Sequence, residues 1–211
     1  MKKLKKRFIV PAVVFILGMC ALIGTIYGVG KTQEQQNRTK AKLNAMTYAE
    51  RINGELMEGI GVTDTLKQVV ISNDGNINSF NGVAANMMDD SIQSIQIAPN
   101  GVVTEIYPEE GNESGKIDLI NDGDRGEISR YARDNDTVIM QGPFELKQGG
   151  YGIAVRNPVY LEDGNGQKSF WGFTIVMLRV PEIFSESVEA LSNFGYKYSL
   201  QKCASPWDDT Y

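Results

Sequence analysis

Arg156 and Asn157 stand inside the apolar run Tyr151–Leu161 (YGIAVRNPVYL). A guanidinium buried in such a run needs an anion beside it. A ligand carboxylate or phosphate supplies one, and so does an Asp or Glu of the same chain; the structural ion pair is the commoner fate. Phe144, Trp171 and Phe173 stand in neighbouring apolar runs, as an aromatic wall for a ligand or as plain core. Tyr107, followed by Pro108, is placed to line an entrance.

Other chemistries fall away. The 211 residues contain no histidine, so no Ser-His-Asp or Cys-His nucleophile and no histidine zinc site can be assembled. The two cysteines, Cys20 and Cys203, form no CxxC motif, and Cys20 lies inside a long apolar run, so no disulfide framework is expected. Asn121-Asp122-Gly123-Asp124 lacks the spacing and closing glutamate of a calcium loop, which leaves helix capping by Asp122 or Asp124 as the expectation. Asp163, Asn165 and Gly166 read as a hairpin turn. The pairs Glu109-Glu110 and Asp208-Asp209 read as solvated charge. No catalytic residue, metal site or cofactor is expected, and the chain does not read as an enzyme.

Charge is unevenly spread. Five of the 21 basic residues (Lys2, Lys3, Lys5, Lys6, Arg7) precede residue 30, where no acidic residue occurs, which leaves 16 basic against 26 acidic in the rest, a net of −10. A body so acidic is a poor partner for nucleic acid, whose binding rests on neutralising phosphates.

Phe8 to Val29 (FIVPAVVFILGMCALIGTIYGV) carries no charge. At about 1.5 Å rise per residue, roughly 20 such residues cross a hydrocarbon core. The basic cluster before it predicts a cytoplasmic N-terminus with the body outside. A cleaved signal peptide, using Gly28-Val29-Gly30, is the competing reading, but the run is long for one. A lipoprotein signal would want a small residue before Cys20, where Met19 stands.

Residues 1–7 are therefore read as a cytoplasmic tail, 8–29 as a transmembrane helix and 30–64 as a stalk helix. Ala45, Ala49, Ile52, Leu56 and Gly59/Ile60 follow helix-stripe spacing. The stripe either pairs with its copy in a homodimer or packs on the chain's own domain. In the dimer reading, aspartates at 52 and 56 lower the assembly's mass without unfolding the sheet. Thr65 to Asp90 reads as helical, broken near Asn73-Asp74-Gly75-Asn76. A hairpin follows, Ile92 to Ala98 and Val102 to Tyr107 about Pro99-Asn100-Gly101. After a polar loop from 111 to 126 and a short helix from 127 to 133 come three strands, near 138–147, 151–161 and 169–180. Gln148-Gly149-Gly150 and Glu162-Asp163-Gly164-Asn165-Gly166 separate them. Pro181 stops the last, a helix is expected from 182 to 191, and a further strand from Tyr196. Periodicity alone gives an α+β chain.

The residues then become more specific. The segments SIQSIQIAPNGVVTEIYPEEGN (91–112), GKIDLINDGDRGEISRYARDND (115–136), QGPFELKQGGYGIAVRNPVYL (141–161), FWGFTIVMLRVPEIF (170–184) and GYKYSL (195–200) resemble, in order and at compatible spacing, the CHASE family. These are extracytoplasmic sensors of cytokinin receptors and of bacterial histidine kinases and diguanylate cyclases. The resemblance implies a PAS-like five-stranded antiparallel sheet with flanking helices over residues 65–194, a small-molecule ligand and attachment to the membrane. It further implies a second, membrane-proximal lobe, of which 195–211 would be the start, and a cytoplasmic output domain beyond. A module that binds other proteins or its own copy, without a small ligand, is the alternative. Gln141 and Gly142 stand where cytokinin-binding members carry small hydroxyl residues, so cytokinin recognition does not carry over. The pocket implied lies between the concave sheet face and residues 111–133, with Tyr107, Gln141, Phe144, Arg156, Asn157, Trp171 and Phe173 as candidate lining. Residues two apart on a strand share a face, which groups Arg156 with Ala154 and Pro158, and Phe173 with Trp171 and Ile175.

Overall fold

The computed structural model describes residues 2–109, 117–123, 125–146, 149–193, 197 and 199. The expected strand from Tyr196, Glu110, Asp124, Cys203 and the Asp208-Asp209 pair lie outside the described residues. Residues 1–50 and 51–211 form two compact units.

The first unit is helical. It belongs to α1 (Lys2–Ser72), which runs on as one helix through the expected boundaries at 29/30 and 64/65. Its apolar side chains from Ile9 to Val29 are exposed, Phe15 by 70% and Ile26 by 70%. By length and composition the helix is long and apolar enough to cross a membrane.

The second unit is α+β. After α1 come α2 (Phe80–Ala85), β1 (Ile92–Pro99), β2 (Glu105–Tyr107) and α3 (Gly126–Asn135). Then follow β3 (Ile139–Glu145), β4 (Tyr151–Glu162), β5 (Lys168–Val180), a 3-10 turn at Glu182–Phe184 and α4 (Ser185–Asn193). The strands pair antiparallel in the order β2-β1-β5-β4-β3, the PAS-like sheet that the resemblance implies. The second strand of the first hairpin is shorter than expected, because Val102 leaves it to bridge Asp118.

Both faces of the sheet are covered. On one lie Ile95, Ile97, Val155, Val176 and Leu178, packed with Leu66 of α1 and with Phe80, Ile183 and Phe184. On the other lie Ala98, Ile139, Phe173 and Ile175, packed with Val103, Leu119 and, from α3, Ile128 and Ala132. Central strands covered twice lose polar–apolar alternation, which is why Ile92–Ala98 alternates so poorly in sequence.

The upper stripe of α1 is spent inside this unit. Ile52, Leu56 and Ile60 pack against the first core, and Leu66 and Val70 are fully buried. Gly59 lies so close to the sheet that a Cβ there would meet Leu178 Cδ1 at 2.6 Å. The helix ends at Asp74 and Gly75, both in the left-handed region (φ 49° and 81°), with the Gly75 N–H bonded to the Val70 carbonyl at 2.8 Å. A side chain at Gly75 would strike Trp171 Cδ1 at 2.7 Å.

Candidate functional site

Two bulges decide which candidates share a face. Partners across an antiparallel ladder point to the same side, so Ile139, Gln141, Ala154, Arg156, Pro158, Phe173, Ile175 and Gln96 form one face. Between Gln141 and Phe144 the register shifts, so that Gln141 pairs with Ala154 and Phe144 with Gly152. In a regular strand residues three apart point to opposite sides; here the shift across Gly142-Pro143 brings Phe144 round to the side of Gln141. Pro143, without an N–H, suits this interruption of an edge strand. A second shift lies between Val159 and Tyr160, where Tyr160 pairs with Phe170 and Val159 with Gly172.

That second bulge corrects the aromatic wall. Phe170 rather than Trp171 joins Phe173, their rings edge-to-face at 5.1 Å, with Tyr160 edge-on to Phe170 at 5.7 Å. Trp171 turns to the opposite face and packs on the α1 core, as does Tyr107, which pairs with Ile95. Asn157 points to that side too. Its Nδ2 donates to Asp64 Oδ1 at 2.6 Å and to Thr63 Oγ1 at 3.4 Å, and its Oδ1 accepts from Lys67 Nζ at 3.2 Å. Thr174 Oγ1 donates to the Thr63 carbonyl at 3.0 Å. Asn157 and Thr174 are thus the polar seam between the sheet and α1. Phe173 shares the Arg156 face but is completely buried in core. Of the seven candidates, Phe144 and Arg156 line one hollow, and Gln141 stands on the same face as both.

The hollow is a cavity of about 80 Å³ lined by Gln96, Ile117, Leu119, Arg125, Phe144, Ala154, Arg156, Ile175 and Met177. It lies between the sheet and the segment leading to α3, where the pocket was expected. Arg156 is 2% exposed. Its Nε and Nη1 are buried without a hydrogen-bond partner, so three of the five guanidinium donors are unspent. Burial, with Arg125 nearby, lowers its pKa to about 10, against a smaller opposing effect of Asp122. It therefore remains a cation at neutral pH. The Gln141 Oε1 is also buried without a partner. Gln96 Nε2 donates to Ser94 Oγ at 2.9 Å. Unpaired buried polar atoms normally cost about 1–3 kcal/mol each, so the two unpaired nitrogens of Arg156, which lines the cavity, call for a reason.

The segment that forms the outer wall is held by carboxylates. Asp118 accepts from the N–H groups of Ile120 and Asn121, both at 3.0 Å, and from Asn121 Nδ2 at 2.8 Å; these bonds, that of the Asn121 side chain foremost, lower its pKa. Asp122 Oδ1 accepts from the Arg125 N–H at 2.9 Å, and its Oδ2 faces Arg125 Nη1 at 3.4 Å. It fastens the turn before α3 rather than capping the helix, whose first position has no side-chain cap. Arg130 Nη1 donates to the Ile120 carbonyl at 2.6 Å.

A larger hollow of about 700 Å³ lies elsewhere, lined by Arg51, Glu55, Glu58, Asp89, Asp90, Glu182 and Glu186 among others. Its carboxylates are partly engaged already: Arg51 binds Glu186 and stands 3.7 Å from Glu55, which also accepts from Ser187 Oγ at 2.9 Å. Among the described residues no group of His, Cys, Asp or Glu converges as a metal site. Volume alone favours this groove, but a ligand pocket pairs apolar walls with a few convergent polar groups, and that description fits the Arg156 cavity.

Removing the seam's centre has a calculable effect. Asn157→Ala is expected to lower stability by about 1–3 kcal/mol, because it removes the hydrogen bonds that a fully buried amide makes to Thr63, Asp64 and Lys67. Denaturant unfolding of the full chain measures it, and an unchanged midpoint contradicts the seam.

No curated protein matches the chain. Among solved structures it is similar to an extracellular ligand binding receptor from Desulfohalobium retbaense, with TM-score 0.53 and 12% identity, over 69% of this chain. The likeness shows the fold, and the chain spans only 26% of that receptor. The family comparison is more specific: residues 32–201 match the CHASE domain, and the chain belongs to that family.

Proposed function

We propose that this chain is the extracytoplasmic ligand-sensing part of a membrane-bound signalling receptor. The Arg156 cavity is the observation that carries the reading: a buried cation with unspent donors, on the α3 side of a PAS-like sheet, in a CHASE domain. Residues 8–29 cross the membrane, residues 1–7 stay in the cytoplasm, and the sensor stands outside. Gln141, Phe144 and Arg156 contact the ligand. The signal passes through membrane helices to an output domain of the diguanylate cyclase or histidine kinase type that the family resemblance implies. The chain works as a homodimer through α1, where Leu43 and Met46 are exposed by 57% and 53%.

One observation favours the second reading, a docking or dimerisation module without a small ligand: about 80 Å³ is well below the roughly 300–1,000 Å³ of ordinary ligand pockets. A thermal-shift screen of the full chain in nanodiscs against a metabolite library separates the two. A sensor is stabilised by its ligand, by about 2.7 kcal/mol at 100 times Kd. No stabiliser across the library would move the chain to the docking reading.

A further inference from the structure

The geometry points to a small monocarboxylate as the class of ligand held at Arg156. This inference rests on the sensor reading and narrows it. Three observations support it.

The first is the unspent hydrogen-bonding capacity. Nε and Nη1 of Arg156 have no acceptor, although the residue is 98% enclosed. A carboxylate offers two oxygens with about four lone-pair sites, the planar complement of a guanidinium. A neutral ligand would leave the charge itself unanswered.

The second is charge. Among the described residues, the charged groups that act on Arg156 are Arg125 and Asp122, and these two stand against each other at 3.4 Å. Among these three groups Arg156 is the one net positive charge, and it lines the cavity. One negative charge neutralises it, whereas a dianion would bring an excess charge into an apolar enclosure, where desolvation costs several kcal/mol.

The third is size and lining. A water molecule occupies roughly 30 Å³ of liquid, so about 80 Å³ admits only a handful of non-hydrogen atoms. Ile117, Leu119, Phe144, Ala154, Ile175 and Met177 supply apolar contact for a short carbon chain. Arg156, Arg125 and Gln96 are the lining groups that can hold the carboxylate end.

Isothermal titration of the full chain in nanodiscs, at constant ionic strength, tests the class with acetate, lactate, succinate, inorganic phosphate and neutral lactamide as probes. Binding of acetate or lactate without lactamide is expected, weakened about 10–100-fold in Arg156→Met, the loss typical of a charge-assisted hydrogen bond. Arg156→Lys, which keeps the charge but not the fork, should fall between the two, and it carries the test should the methionine variant fail to fold. Monocarboxylate binding unaffected by either variant overturns the site. Phosphate, succinate or lactamide binding while the monocarboxylates are silent overturns the class and leaves the sensor reading intact. Silence of all five probes overturns the class as well; the sensor reading then stands or falls on the library screen.

Discussion

Arg156→Met is expected to raise the stability of the ligand-free protein while destroying its response to ligand. In a structural ion pair the opposite holds, since removing one partner strands a charge and costs about 3–5 kcal/mol. Here the cation is already stranded. It is buried at 2% exposure with Nε and Nη1 unpartnered, and burial is the main cause that brings its pKa to about 10. A lowering of that size corresponds to about 3 kcal/mol held against the charged form. A methionine of similar length fills the wall without that cost. Urea denaturation without ligand should therefore show a higher midpoint in the variant, with an unfolding free energy greater by about 1–3 kcal/mol. A variant less stable than the parent would mean that Arg156 has a structural counter-charge. The substitution thus distinguishes a residue kept for function from one kept for folding, because functional sites are where a fold tolerates unsatisfied groups.

The second large effect concerns α1. Changing Ile52→Asp together with Leu56→Asp is expected to destabilise residues 51–211 by about 3–5 kcal/mol. Both side chains are partly buried against the core under the sheet; each forfeits a share of the roughly 1.5–3 kcal/mol of a fully buried Ile or Leu, and each carboxylate must in addition be kept hydrated. For a unit of this size the melting temperature should fall by roughly 10 °C. The dimer reading of the stripe predicts loss of mass with the sheet intact. The packing predicts loss of the sheet's thermal stability instead, whatever the assembly. Circular dichroism melts combined with light scattering separate these outcomes, and an unchanged melt with halved mass would return the stripe to an interface.

Much of the fold was legible because it is written in short-range chemistry. The β4–β5 hairpin is the clearest case. Asp163 Oδ1 accepts from the N–H groups of Asn165 and Gln167, both at 2.9 Å, and Gly166 takes φ 81°; Asp, Asn and Gly announce such a turn. Those two backbone bonds also hold the Asp163 carboxyl below the ordinary range. Asn73 to Asn76 ended α1 as read, because an αL exit needs Gly or Asn.

What was not legible depended on register and on distant partners. A one-residue shift exchanges the faces of a strand, and nothing local in FWGF says that Trp171 rather than Phe170 is the residue turned away. The same holds for Phe144, carried to the Arg156 face across Gly142-Pro143. Asn157 looked like Arg156's companion because it is adjacent in sequence, yet adjacency on a strand means opposite faces. Its partners, Asp64 and Lys67, lie some 90 residues away, beyond any local signal. Arg156 itself was visible as a charge in an apolar strand. That it lacks a full set of partners required the coordinates.

The claim on which all of this rests is that residues 51–211 face the outside of the cell. Asn165 stands exposed at the tip of the β4–β5 hairpin, and Asn165→Cys, in a chain carrying Cys20→Ala and Cys203→Ser, places one thiol there. Intact cells treated with a membrane-impermeant maleimide give the measurement. Labelling before permeabilisation is the predicted result; labelling that appears only after the membrane is opened would put the domain in the cytoplasm and contradict the sensor account.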